Sequence, residues 1–135
     1  MTHWVFISST KRFRMNDWLE NNNCVEYLQR NRLQVNDIVY LYTTAPVKRI
    51  EYKMIVERID VPFQDIIDDS EYSLHSVSSR QFSKNDLFVR LRLLKKTDSP
   101  NLHLDCLRNH GLNASMQSAF KVSGELVDYI EEQFK

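Results

Sequence analysis

Three residues of metal-ligating type, His103, Cys106 and His110, stand at i, i+3 and i+7. On a helix they could share one face. The spacing matches no common zinc pattern, and no fourth ligand is suggested nearby. His3 and His75 are isolated, and no nucleophile elbow, zincin helix, Walker loop or dinucleotide fingerprint occurs. The sequence therefore points away from catalysis, from a bound metal and from a cofactor. Lys11, Arg12 and Arg14 make a small basic cluster around Phe13.

Bulk charge does not decide the matter. Eighteen basic and eighteen acidic side chains cancel over 135 residues. That excludes nucleic-acid binding by net charge alone and leaves a local basic face open. The length fits one domain, residues 1–135, and the 42% of hydrophobic residues can fill a core. Cys24 and Cys106 form no pair motif and read as reduced, partly buried thiols. No apolar run approaches the roughly 18 residues of a membrane span, and no leader-like segment opens the chain. The expectation is a cytoplasmic protein with no membrane contact.

The elements that would position a site are read from periodicity. The clearest lie between Val35 and Asp60. Ile38 to Tyr42 is a strand after an Asn36-Asp37 turn, and Thr43 to Arg49 connects it to a second strand. There Ile50, Tyr52, Met54 and Val56 alternate with Glu51, Lys53 and Glu57, which predicts one buried face. Trp4 to Ile7 is a buried first strand, and Asn16-Asp17 caps a helical turn holding Trp18. Cys24 to Arg32 reads as a short helix from the spacing of Val25 and Leu28, with an extended piece at Tyr27 as the alternative. Val61-Pro62-Phe63 opens a different segment, with an acidic run from Asp65 to Glu71 and a polar stretch to Ser83, expected to be a surface loop. Leu87 to Leu94 is a strand with Val89, Leu91 and Leu93 on one side. Leu102 to His110 is a helix stopped by Gly111. Phe120 to Val122 is a small strand, and Ser123 is the expected cap of a last helix bearing Leu126, Val127, Ile130 and Phe134. Strands and short helices without regular βαβ alternation predict an α+β fold with a mixed or barrel-like sheet.

In this order the segments resemble the EVE domains of the PUA-like superfamily. The resemblance is carried by Trp4-Val5-Phe6-Ile7, Asp17-Trp18, and Leu33 to Tyr42 with its Asn36-Asp37 turn. The partner strand Pro46 to Val56 and the C-terminal part Leu102 to Phe134, with Gly111-Leu112-Asn113, Gln117 and Tyr129-Ile130, complete it. The family usually has Gly where this chain has Asn36, a residue that also takes the left-handed conformation.

The resemblance implies a PUA-like mixed β pseudo-barrel flanked by short helices. It implies no enzymatic activity, and an aromatic-lined cleft that recognises a base of DNA or RNA, modified and flipped out of its stack. It also implies a restriction-like defence setting, with a nuclease or other defence protein as a partner. Such a site needs flat walls and hydrogen bonds along the base edge. The wall candidates are Trp18, Tyr27, Tyr40 and Tyr42. Ser8, Ser9, Thr43, Thr44, Asn113 and Gln117 are the polar candidates. Lys11, Arg12, Arg14, Lys48 and Arg49 are the phosphate candidates. Tyr40 and Tyr42 share a face with Ile38 and equally suit core packing, and Asn113 and Gln117 equally suit capping of their own loop. The alternative function is a protein–protein module without nucleic-acid binding, motivated by the zero net charge and the acidic run.

Overall fold

A computed structural model describes residues 1–67, 72 and 85–135 of the chain. Its elements run β1 (His3–Ser8), α1 (Met15–Asn21), β2 (Cys24–Leu28), β3 (Ile38–Thr43), β4 (Arg49–Pro62), β5 (Leu87–Lys96), α2 (Leu104–Asn109), β6 (Phe120–Val122) and α3 (Glu125–Glu132). The six strands form one mixed sheet in the order β2-β5-β4-β3-β1-β6. Only β1 and β3 pair in parallel, from His3 opposite Ile38 to Ser8 opposite Thr43. The architecture is α+β, as the periodicity predicts.

The sheet curls into a half-barrel, and β4 shows why. It is 14 residues long and slips register once against β3 and three times against β5. Each extra residue bends a strand and increases its twist. The curl brings edge strand β2 back toward β1. Tyr27 packs edge-on against Phe6, with ring centres 5.2 Å apart, and its hydroxyl donates to the Ile7 carbonyl at 3.4 Å.

Both faces of the sheet are covered. Trp4, Phe6, Val39, Leu41, Tyr52, Met54, Val56, Val89 and Leu91 fill the inner core, under α1. Val5, Ile38, Tyr40, Tyr42 and Ile50 face outward into a second core made with Leu107, Leu126, Ile130 and Phe134 of the C-terminal helices. Ile50 thus departs from the expected alternation with Tyr52. Tyr42 pairs with Ile50 and Leu41 with Tyr52, so Glu51 is the extra residue of a bulge, and the strand changes parity there.

Three other expectations are corrected. Cys24 to Leu28 is a strand, because β5 supplies a ladder from Cys24↔Arg92 to Leu28↔Phe88 that local spacing cannot reveal. Arg90 adds two hydrogen bonds to Glu26, at 2.9 and 3.2 Å. The strand after the hairpin continues through Pro62 instead of ending before Val61. The last helix is capped by Gly124 at φ 65° and not by Ser123. Asn36 at φ 75° and Gly111 at φ 105° take the left-handed turns expected of them. Residues 68–71 and 73–84 lie outside the described residues, and with them His75, most of the acidic run and the expected polar loop. Among the described residues no helix is long and apolar enough to cross a membrane.

Helix α3 is fastened to the sheet through one carboxylate. The fully buried Tyr40 donates its phenol to Glu131 Oε2 at 2.9 Å, and Lys53 Nζ meets Glu131 Oε1 at 2.5 Å. Burial, and then the Glu131 carboxylate, push the Tyr40 phenol far above its ordinary pKa, so it stays a donor. Glu131→Ala leaves a buried hydroxyl and a half-buried ammonium without their acceptor. It is expected to cost about 2 kcal/mol in a urea unfolding curve.

Candidate functional site

The inner core ends in polar residues where β1 and β3 finish side by side. Trp4 and Phe6 point inward from β1, and Val39 and Leu41 from β3. The period of two then brings Ser8 and its register partner Thr43 to the same face. Two loops meet over this end. The Thr10 amide donates to Thr44 Oγ1 at 3.0 Å, the Thr10 hydroxyl to the Ala45 carbonyl at 2.7 Å, and the Thr44 amide to the Ser8 carbonyl at 3.1 Å. The loop after β1 and the β3–β4 loop are therefore one clasped rim.

Beneath that rim is a cleft of about 240 Å³ lined by Ser8, Thr10, Phe13, Arg14, Met15, Asn16, Asp17 and Thr43. It is smaller than the roughly 300–1,000 Å³ of sites for drug-sized ligands, so it suits one flat ring. Phe13 and Met15 give it an apolar side. Arg14 lies 5.1 Å above the Tyr72 ring and 3.6 Å from Asp17, and its amide donates to the Tyr72 carbonyl at 2.9 Å.

The lining holds one unusual atom. Thr43 is only 5% exposed, and its hydroxyl has no hydrogen-bond partner among the described residues. An orphaned buried hydroxyl costs about 1–3 kcal/mol. Thr43→Val keeps the shape and the strand preference and removes that cost. Thermal or urea unfolding is expected to show the variant about 1 kcal/mol more stable than the natural protein.

The cleft gathers some of the residues expected at a site and leaves out others. Ser8, Thr43 and Arg14 line it. Thr44 builds the rim, and the Ser9 carbonyl accepts the Arg12 and Phe13 amides to form the turn. Lys11 and Arg12 are exposed in that turn. Tyr40 and Tyr42 are not cleft walls. Both face the second core, because the outer face of β3 is covered by the C-terminal helices. Burial leaves the Tyr42 phenol above its usual pKa next to α2, against the lowering by the Arg108 cation and with a smaller push from the Asp105 carboxylate. Trp18 is 4% exposed inside the inner core and donates its indole N–H to the Cys24 carbonyl at 2.7 Å, so it holds α1 in place. Tyr27 closes the half-barrel at Phe6 and Ile7. Asn113 and Gln117 are exposed on the loop between α2 and β6, which packs Leu112, Ala114 and Met116 on the second core. Lys48 is exposed at φ 53°, its carbonyl taken by the Leu104 amide. Arg49 meets Glu51 at 3.3 Å and does not stand free for phosphate.

Thr10, Phe13, Met15, Asn16, Asp17 and Tyr72 were not among the expected residues. The aromatic bracketed by Lys11, Arg12 and Arg14 was the one signal that pointed to this loop. The three residues of metal-ligating type are separately engaged. His103 caps α2 by accepting the Asp105 amide, Cys106 donates toward the Pro100 carbonyl, and His110 stacks on Tyr129 at 3.7 Å. Cys24 and Cys106 are free thiols, each partly buried.

Comparison with solved structures bears on the fold. The ASCH protein of Zymomonas mobilis superposes with a TM-score of 0.68 at 12% identity, over 99% of this chain and 96% of that one. A serine-to-alanine variant of the same protein gives 0.71 at 13%, over 99% and 97%. The fold is PUA-like. Rpa0253 of Rhodopseudomonas palustris aligns at 0.66 and 12% identity, over 99% of this chain and 93% of that one. These likenesses stop at the PUA-like fold and do not single out the EVE branch. No family model matches the sequence, and no curated protein matches it.

Proposed function

We propose that this PUA-like chain is a non-catalytic module that binds nucleic acid by taking a single base into the cleft under the clasped rim. One observation carries the reading. A pocket sized for one ring joins an apolar side, Phe13 and Met15, to a buried hydroxyl, Thr43, that has no partner among the described residues. Lys11 and Arg12, exposed on the adjoining turn, supply cations for the phosphate backbone beside an inserted base. The PUA-like neighbours named ASCH support the same class of partner. The finer assignment, an EVE-type reader of a modified and flipped base acting beside a nuclease in the cytoplasm, follows from the sequence resemblance. A methyl group contributes only about 1 kcal/mol by burial, so selectivity for a modification has to come from cleft shape.

Fluorescence anisotropy at two salt concentrations tests this. The ligands are short single- and double-stranded DNA and RNA with unmodified, 5-methyl, 5-hydroxymethyl and N6-methyl bases. Base-dependent binding that survives the higher salt is expected. Binding to every ligand that vanishes with salt would reduce the site to phosphate contact. No binding to any of them would favour a protein partner.

A further inference from the structure

Thr43 is not alone. Arg49 Nε, Glu51 Oε1 and the Tyr52 phenol are also buried without a partner among the described residues. Thr43 lines the cleft, whose lining does not include the other three, and it is the register partner of Arg49 across β3 and β4. Paired residues on neighbouring strands share a face, so Arg49 is directed to the cleft side. Its guanidinium meets Glu51 Oε2 at 3.3 Å, which places Glu51 on that side too, and the bulge turns Tyr52 inward beside it. Burial first, and then the carboxylates of Glu51, Glu20 and Asp17, push the Tyr52 phenol above its ordinary pKa, so it too remains a neutral donor. Thr43 and Glu51 are 5% and 4% exposed.

We propose that Arg49 and Glu51, together with Thr43 and Tyr52, form an edge-reading floor that takes a neutral nitrogen heterocycle edge first and rejects phosphate. The set has the composition for it. The guanidinium Nε–H can only donate, the carboxylate oxygen can only accept, and the two hydroxyls do either. A nucleobase edge presents N–H donors beside carbonyl or imine acceptors. A backbone phosphodiester presents acceptors alone. It would meet Glu51 and Asp17, and the charge of Arg49 is already matched by Glu51. Arg49 thereby moves from the phosphate contacts expected of it to base reading. This rests on the reading of the cleft as a base site.

The test uses free nucleosides. Saturation-transfer NMR with cytidine, adenosine, guanosine and uridine is run on the natural protein and on Glu51→Gln, Thr43→Val and Tyr52→Phe. Inorganic phosphate serves as competitor. At least one nucleoside is expected to bind, unaffected by phosphate. Each variant is expected to weaken it about tenfold, as loss of a buried hydrogen bond does. Thr43→Val and Tyr52→Phe conserve shape and decide the matter if Glu51→Gln does not fold. Absence of nucleoside binding, equal binding by the variants, or displacement by phosphate would each overturn the proposal. Nucleoside binding without oligonucleotide binding would keep this floor and remove the nucleic-acid reading. Oligonucleotide binding untouched by the variants would do the opposite.

Discussion

Asp37→Ala is expected to destabilise the protein by about 4 kcal/mol, a large share of the roughly 5–15 kcal/mol available to a domain of this kind. Asp37 is 3% exposed and accepts three hydrogen bonds. They come from the Thr2 amide at 3.0 Å, the Gln34 amide at 3.0 Å and the Trp4 indole at 3.2 Å. One carboxylate thus ties the start of β1 to the turn before β3, the two strands that present Ser8 and Thr43. Alanine leaves three donors without an acceptor, at roughly 1–3 kcal/mol each, less what water recovers at the more exposed ones. A urea unfolding curve measures the loss. The same group gives the fold a pH dependence. Burial pushes the Asp37 carboxyl up, but the Thr2 and Gln34 amides and the Trp4 indole outweigh it and hold the pKa below the usual value. A folded pKa below the unfolded one, about 3.9, means that the contribution is complete above about pH 4. It is lost as the pH falls from there through the folded pKa. Asp37→Asn should flatten that part of the stability–pH curve. An unchanged slope would show that Asp37 is not the group responsible.

Trp18→Ala is expected to cost about 3–5 kcal/mol, the range for deleting a large buried aromatic. Trp18 packs edge-on against Tyr72, with ring centres 5.1 Å apart, and at 6.2 Å against Phe13. It also satisfies the Cys24 carbonyl. Its loss frees α1, which carries Met15, Asn16 and Asp17 of the cleft. Any loss of ligand binding in this variant is therefore expected to accompany a fall in the unfolding midpoint. Binding lost at unchanged stability would instead make Trp18 a direct contact. Tyr42→Phe provides the contrast. Its hydroxyl lies on the far side of the sheet, and ligand binding should not change.

These expectations show where the sequence was legible. The Val35–Asp60 stretch, the first strand and the last helix follow from local periodicity, because each has a core face that its own residues declare. Strand β2 does not, since its partner β5 is far along the chain: Glu26 bonds Arg90, 64 residues away. Local pattern offers no preference strong enough to stand in for that pairing. The side chains of the site were harder to place for a related reason. All six residues of β3 are buried. In a strand covered on both faces, alternation separates two sets without saying which is the site. Tyr40 and Tyr42 face the second core, and Thr43 faces the cleft. Glu51, buried at a bulge, was equally hard to place, because one inserted residue changes the parity of a strand and no local signal marks it. The resemblance to EVE domains located the fold at the PUA-like level, and the positions of the wall residues had to come from the packing.

The most direct measurement is amide chemical-shift mapping of the ¹⁵N-labelled protein during titration with a short single-stranded oligonucleotide. A base-binding cleft under the clasped rim predicts the largest shifts at Ser8, Thr10, Phe13, Asn16, Asp17 and Thr43, with Tyr42, Asn113 and Gln117 unmoved. Shifts confined to the α2–α3 side of the sheet, or none at saturating ligand, would contradict it.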